Sequence, residues 1–486
     1  MPHPAAPATK VLEQLAQIVG PAHLLTDEHD LAPYLTDWRG RYHGTALCVV
    51  RPGSTAEVAA LVATCAAAHL TLVPQGGNTG LVGGAVPRAA DQVQRPEVVL
   101  STGRLNHIRH LDPLNHTLTA EAGCTLAEVQ QAATDIGCLF PLSLASEGTA
   151  PIGGNLSTNA GGLQVLRYGS MRDLTLGLEV VLADGQVWHG LRALRKDNTG
   201  YSLRHLFIGA EGTLGIITAA VLKLFPAVHR HATAWLAIPD PAAAVSLLGQ
   251  LRQHFGERVS AFELINRTAL ELVLKHIPAT QPPLATAYDW HILLQLDDGH
   301  LEADRPQGTD PLRDSLIEFL ASAEQQGWLH EAVIAHSDAQ AAALWKLRES
   351  ISEAQKIDGL SIKHDISVPL SAIPEFIRRT DQALHRQHDG LRIVCFGHVG
   401  DGNLHYNPSK AEAQDNAAFI ATGSAVSRIV HDLVHELDGS ISAEHGIGQL
   451  KRNELLRYHS PLESQLMHRL KQVLDPQGIF NPGKLL

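Results

Sequence analysis

The chain is poor in cysteine, with five in 486 residues, at Cys48, Cys65, Cys124, Cys138 and Cys395. They are scattered, odd in number and form no C-x-x-C pair, which argues against a disulfide framework and for a reducing compartment. There is no run of Lys and Arg, and the formal net charge is −12 at pH 7. A duplex binder needs a concentrated basic face, so a nucleic-acid partner is excluded. No apolar run approaches the ~20 residues that a membrane-spanning helix requires. The opening M-P-H-P-A-A-P-A-T-K lacks both a basic start with an apolar core and an Arg- and Ser-rich amphipathic pattern, so no signal or transit peptide is expected. The cytoplasm is then the default location. Neither G-x-S-x-G nor G-x-x-x-x-G-K-[ST] occurs, which leaves serine-hydrolase and P-loop readings without a nucleophile or a phosphate loop.

What is present is length, glycine and histidine. A chain of this length exceeds what one core supports, so two or three domains are expected, and 44% apolar residues suit a soluble globular enzyme. Residues 11–20 read as an amphipathic helix, 27–45 as an irregular lead-in and 46–50 as a strand. Pro52-Gly53-Ser54-Thr55 caps a helix over 56–69, with Val58, Leu61, Val62 and Cys65 at helical spacing. A strand over 71–74 then delivers the chain into Q-G-G-N-T-G-L-V-G-G, residues 75–84. Five glycines in nine residues (76–84) let backbone amides approach an anion such as a pyrophosphate. The G-x-G-x-x-G spacing of a Rossmann unit is absent. After a strand at 98–100, the segments S-E-G-T-A-P-I-G-G-N-L-S-T-N-A-G-G (146–162) and G-A-E-G-T-L-G-I-I-T (209–218) are again rich in glycine and small hydroxyl residues. The stretches 176–182 and 186–188 read as a hairpin through Asp184-Gly185, and 219–224 as a strand. Beyond residue 228 the glycines thin out. The stretch 297–311 reads as an exposed loop and 416–437 as one helix.

The segment F-G-H-V-G-D-G-N-L-H-Y-N (396–407) reads as a strand over 391–396, a reversal over 400–403 and a returning strand over 404–407, so His398 and His405 face each other. Glu444, in S-A-E-H-G, would complete a His2Glu set of the catalytic zinc type, which leaves a position open for substrate. Among 28 histidines, two seven apart carry no weight by frequency, and the spacing matches no stock zinc motif. His431 and His435 stand at i and i+4, but Asp432 occupies the place of a metalloprotease glutamate, so both read as surface histidines.

Together the three glycine-rich segments, G-H-V-G-D-G-N-L-H, S-A-E-H-G-I-G and the closing Asn481-Pro482-Gly483-Lys484 resemble the vanillyl-alcohol-oxidase or PCMH-type flavoproteins, and within them the FAD-linked D-2-hydroxyacid dehydrogenases. The resemblance covers most of the chain after about residue 40. It implies an α+β fold with a lead-in over 1–41, a PCMH-type FAD-binding domain over 42–225, a cap on an antiparallel sheet over 226–437, and a closing segment, 438–486, that returns to the flavin domain. It implies FAD contacts at Pro74, Gln75, Gly76, Gly77, Asn78, Thr79, Gly80, Leu81, Ser146, Thr149, Gly153, Gly154, Asn155, Thr158, Asn159, Gly161, Gly162, Glu211, Gly212, Gly215, Ile216 and Asn481. A divalent metal, zinc foremost, is implied at His398, His405 and Glu444, with His445 as base and substrate contact and Asn407 as a further substrate contact. Arg348, Ser352 and Lys363 are implied as a clamp for a second carboxylate, and Ser352 stands where a Thr is more usual. The implied reaction is oxidation of a D-2-hydroxy acid, D-2-hydroxyglutarate foremost, to the 2-oxo acid by hydride transfer to FAD. D-lactate or glycolate on the same scaffold is the alternative, and a non-catalytic flavin-binding electron carrier a more distant one. An electron-transfer flavoprotein or a quinone would take the electrons, and a homodimer stays open.

Relatives that tether the flavin do so through His, Cys or Tyr in particular loops, and the loop 76–84 contains none of these. FAD is therefore expected to be noncovalent: acid precipitation should release yellow flavin into the supernatant, and colour retained in the pellet would refute this.

Overall fold

A computed structural model describes residues 6–299, 310–411 and 413–486. It divides into two compact units. The first takes its described residues from 6–161, 169–227 and 445–486, the second from 162–168 and 228–444. The division differs from the expected one in three places. Residues up to 41 belong to the first unit and include a helix, Glu28–Leu35, where only an irregular lead-in was expected; Asp27 caps it by accepting from His29 N at 3.0 Å. The second unit runs on to Glu444 instead of ending at 437. The short run 162–168 joins the second unit because Arg167 donates to Asp297 O at 2.9 Å and Leu166 fills the space beside Gly400.

In the first unit, parallel pairing of Cys48–Val50, Glu97–Ser101 and Thr71–Gln75 makes a small sheet, with Leu24–Leu25 added antiparallel at its edge. Its strands are apolar runs rather than alternations, and both faces are covered, as parallel pairing requires. The helix Thr55–Ala67, capped by Ser54, lays Val58, Leu61, Val62 and Cys65 into that core, the set its spacing predicts. A second sheet of five antiparallel strands runs in the order Ile108–Asp112, Thr117–Glu121, Ile216–Lys223, Thr175–Val181 and Val187–Gly190. The expected hairpin through Asp184-Gly185 is its last pair, with Gly185 at φ +83°.

The second unit is built on seven strands in the order Glu331–Ile334, Arg230–Ile238, Trp290–Asp298, Val259–Asn266, Leu391–Gly397, Asn403–Lys410 and Asp365–Ser367, every neighbouring pair antiparallel. The single helix expected over 416–437 is two, Ala413–Ala421 and Gly423–Glu436, parted at Thr422. The loop expected over 297–311 is confined by structure on both sides: Asp297 is a buried strand residue and Pro311 opens the helix Pro311–Gln325, while 300–309 lie outside the described residues.

The chain end closes the first unit. Leu72 N donates to Ile479 O at 2.7 Å and Asn481 N to Leu72 O at 2.8 Å, so Phe480 lies beside Leu72 as an added parallel bridge. Asp475 holds the approach by accepting from Ile479 N and Phe480 N, both at 2.9 Å. Phe480 is fully buried in the core that contains Leu72, Val98 and Leu100. Truncating such a ring leaves a cavity that the neighbours fill only in part. Phe480→Ala should therefore lower the stability of the first unit by about 3–5 kcal/mol in a denaturant titration.

Candidate active site

The hairpin that carries the two histidines depends on glycine. At Gly397 (φ +156°) a Cβ would lie 2.6 Å from Asn403 O, and at Gly402 (φ +90°) one would lie 2.4 Å from Val368 O. Only glycine fits both positions. The strands pair Phe396 with His405, which brings the imidazoles of His398 and His405 to 6.4 Å between centroids. Glu444 reaches both: its Oε1 is 3.4 Å from His398 Nε2 and its Oε2 3.7 Å from His405 Nε2. Asp365 places Glu444, since its Oδ2 accepts from Glu444 N and its Oδ1 from Asn403 Nδ2, both at 3.0 Å.

Among the described residues, His398, His405 and Glu444 are the group whose ligand atoms could share an ion, all lying within 4.8 Å of one another. Zinc bonds of about 2.0–2.2 Å at a tetrahedral angle put neighbouring ligand atoms roughly 3.3–3.6 Å apart; the 3.4 and 3.7 Å from the Glu444 oxygens to the two imidazoles match this, and with the whole set within 4.8 Å the donors suit a divalent ion. The electrostatics agree. Burial would push the Glu263 carboxyl up, but the charges of His398 and Arg348 and their hydrogen bonds hold it down at about 2. His398 is buried, which disfavours its cation, yet Glu263 and Glu444 raise it to about 10. Burial raises Asp401 to about 6 despite the His398 charge. Three carboxyl groups around two imidazoles make a place that favours positive charge, which a proton or a metal can supply.

Arg348 is buried and spends Nε and Nη2 on Glu263 Oε2, each at 2.8 Å. Ser352 and Lys363 are exposed. Arg348 and Ser352 stand four residues apart, the spacing of one helical turn, but the helix is broken at Ser350 into Asp338–Glu349 and Ile351–Asp358, so the two do not continue one regular turn. Asn407 is buried; its Oδ1 accepts from His364 N at 3.1 Å and its Nδ2 donates to Gln355 Oε1 at 3.1 Å. His431, read as a surface residue, is buried edge-on against His364 at 5.7 Å, because it falls on the core side of Gly423–Glu436; His435 is exposed as expected. Glu263 and Asp365 escaped the sequence reading, although a lone carboxylate in the apolar run V-S-A-F-E-L-I-N is a detectable anomaly.

In the first unit the three glycine-rich segments meet. A Cβ at Gly77 would lie 2.0 Å from Thr149 O, one at Gly76 2.5 Å from Pro151 Cγ, and one at Gly212 2.5 Å from Pro74 Cγ. Part of the glycine content thus serves loop-on-loop packing. Gln75 Nε2 donates to Tyr34 O and Ala85 O at 2.9 and 2.8 Å, and Asn481 Nδ2 to Glu211 O and Gly84 O at 2.7 and 3.0 Å. Glu211 in turn accepts from Ile447 N and Gly448 N, each at 2.7 Å, which fixes the chain just after His445. Asn78, Asn159, Glu211 and Asn481 all have positive φ, between 40° and 52°, a strain that clusters at ligand sites. Asn155 Nδ2 and Asn481 Oδ1 are buried with no protein partner. Strained loops with unsatisfied polar atoms suit a cofactor held by backbone and amide groups.

Residues 46–190 match the family described as FAD binding domain, and residues 229–485 match FAD linked oxidases, C-terminal domain. The fold is that of p-cresol methylhydroxylase, whose structure superposes with a TM-score of 0.75 at 18% identity, covering 99% of this chain and 96% of that one. Flavin-binding first unit and antiparallel second unit together define an FAD-linked oxidoreductase. The chain is 37% identical over 478 residues to the mitochondrial D-2-hydroxyglutarate dehydrogenase of Arabidopsis thaliana, covering 98% of this chain and 82% of that one. It is 38% identical over 471 residues to the D-2-hydroxyglutarate dehydrogenase of Xanthomonas citri pv. viticola, covering 97% and 96%. It belongs to the D-2-hydroxyglutarate dehydrogenase family.

If the three ligands act together, prolonged chelation should abolish turnover while FAD stays bound, and His405→Ala should lose the metal, as read by elemental analysis. Full activity in metal-free protein would assign these residues a structural role.

Proposed function

We propose that the chain oxidises D-2-hydroxyglutarate to 2-oxoglutarate. The observation that carries this reading is the His398, His405 and Glu444 donor set in a chain similar along nearly its whole length to enzymes named for that substrate. When bound, FAD supplies the two-electron acceptor, and a divalent ion, zinc by ligand type, supplies Lewis-acid polarisation of the substrate oxygens. The residues expected to hold FAD are those of the strained, glycine-rich segments 74–81, 146–162 and 211–216 with Asn481. His445, joined to Glu444 and followed by the Glu211 clip, takes the proton of the C2 hydroxyl; the C2 hydrogen leaves with both electrons, and the C–O single bond becomes a carbonyl. Asn407 orients the substrate, and Arg348 and Lys363 neutralise the distal carboxylate, to which Ser352 donates a hydrogen bond. A guanidinium and an ammonium suit that second anionic end.

A monocarboxylate substrate such as D-lactate or glycolate remains the second reading, favoured by one observation: Arg348 is engaged by Glu263, while Ser352 and Lys363 are exposed. An electron-transfer flavoprotein or a quinone is the proposed acceptor and a homodimer the proposed assembly. All five cysteines are buried and unpaired, in keeping with a reducing compartment such as the cytoplasm; the Arabidopsis relative is mitochondrial by name.

Anaerobic mixing with a panel of D-2-hydroxy acids tests the assignment through flavin bleaching. D-2-hydroxyglutarate should outperform D-lactate in kcat/KM. Losing one charge-assisted hydrogen bond costs roughly 1.5–3 kcal/mol, so Lys363→Ala should slow the dicarboxylate about tenfold to a hundredfold and leave lactate little changed. Equal slowing of both would remove Lys363 from the clamp and favour the monocarboxylate reading.

A further inference from the structure

Glu263 sits on the strand Val259–Asn266, which pairs with Leu391–Gly397 through Leu264 with Gly397 and Ile265 with Phe396, so its Cα falls in register beside His398. Its side chain is almost wholly buried, and both oxygens are used. Oε1 meets His398 Nδ1 at 2.7 Å, and Oε2 accepts from Arg348 Nε at 2.8 Å, with Nη2 also 2.8 Å away as an ion pair. A carboxylate can only accept, so Nδ1 carries the hydrogen and Nε2, the atom facing Glu444, is left to bind a metal. Arg348, which can only donate, holds Glu263 in its accepting form. The same guanidinium lies over the Phe396 ring at 4.9 Å, and that ring packs against His405 at 4.8 Å. One cation therefore backs both metal histidines, the first through the Glu263 carboxylate and the second through the Phe396 ring.

The geometry points to Glu263 as a positioning residue that sets the tautomer and aim of His398, with Arg348 as its anchor, so that a helix residue expected to grip substrate also shapes the metal site. The inference rests on the reading of His398, His405 and Glu444 as metal ligands. It separates Arg348 from Ser352 and Lys363: Arg348 acts on metal affinity as well as on substrate, the other two on substrate alone.

The test is metal binding by the FAD-loaded full chain, with Zn2+ dissociation constants from chelator competition and the ligand-field spectrum of the Co2+-substituted protein. Glu263→Gln keeps the shape, but its amide cannot accept from His398 and Arg348 together. It is expected to weaken Zn2+ about 10–100-fold and shift the Co2+ spectrum while FAD content stays at the wild-type ratio. Arg348→Lys, which keeps the charge but loses the paired donors, should weaken Zn2+ in the same direction and by less; Lys363→Ala should leave Zn2+ binding as in wild type. Should Glu263→Gln fail to fold, Arg348→Lys against Lys363→Ala decides. Wild-type Zn2+ affinity and an unchanged Co2+ spectrum in Glu263→Gln or, in its absence, in Arg348→Lys would overturn the inference and leave the metal reading standing. A wild-type protein that binds no metal would overturn both.

Discussion

A buried carboxylate between an arginine and a histidine is the interaction on which the second unit turns. Bare charges in a protein interior cost far more than they return unless each is met by a partner and a hydrogen bond. Here Glu263 is met on both oxygens, and the three elements that contribute, a central strand, the end of the next strand and a helix, are tied at one point. Removing one partner would leave a charge stranded without water, so the three elements share a single geometry. Asp365 performs the corresponding task at the sheet edge, where it joins Asn403 to the backbone of Glu444. The group of His398, His405 and Glu444 is thus held from both sides by carboxylates, Glu263 through His398 and Asp365 through the backbone of Glu444.

The first unit solves a different problem. Its glycine-rich loops do not form regular ladders, so they are held by side-chain amides and a carboxylate aimed at backbone atoms. Gln75, Asn481 and Glu211 do this work, and each bridges segments far apart in the chain, Glu211 reaching Ile447 and Gly448 across more than 200 residues. The glycines around them are needed as much for backbone-on-backbone contact, at Gly77 against Thr149, as for room beside a ligand.

Local signals were legible in the sequence where one chemical cause dominated. Glycine at 397 and 402, the apolar run and glycine-rich reversal over 391–407 and the helical spacing at Val58, Leu61, Val62 and Cys65 all encode conformation within a few residues, and the observed elements follow them. Ends of elements and partners at a distance were not legible. No property of residues 162–168 announces that they pack with the second unit, because the cause is the docking of Leu166 and Arg167 on residues more than 100 positions away. His431 was misplaced because an imidazole on an amphipathic helix suits either side until its neighbours are known. Arg348 showed its charge but not Glu263, 85 residues earlier, which holds its guanidinium by a hydrogen bond and an ion pair.

The chain order has a consequence for how the protein is made. The first unit begins near the N-terminus, is interrupted at Ala227 and resumes only at His445, and the ring of Phe480 completes its core beside Leu72. A ribosome therefore exposes the sheet of Cys48–Val50, Thr71–Gln75 and Glu97–Ser101 long before its last packing partner exists. The second unit, apart from 162–168, is one continuous span and can close while synthesis continues. Vectorial synthesis thus reverses the order of the units: the part that starts first finishes last, and a chain that stops between Ala227 and Phe480 leaves the core of the first unit open.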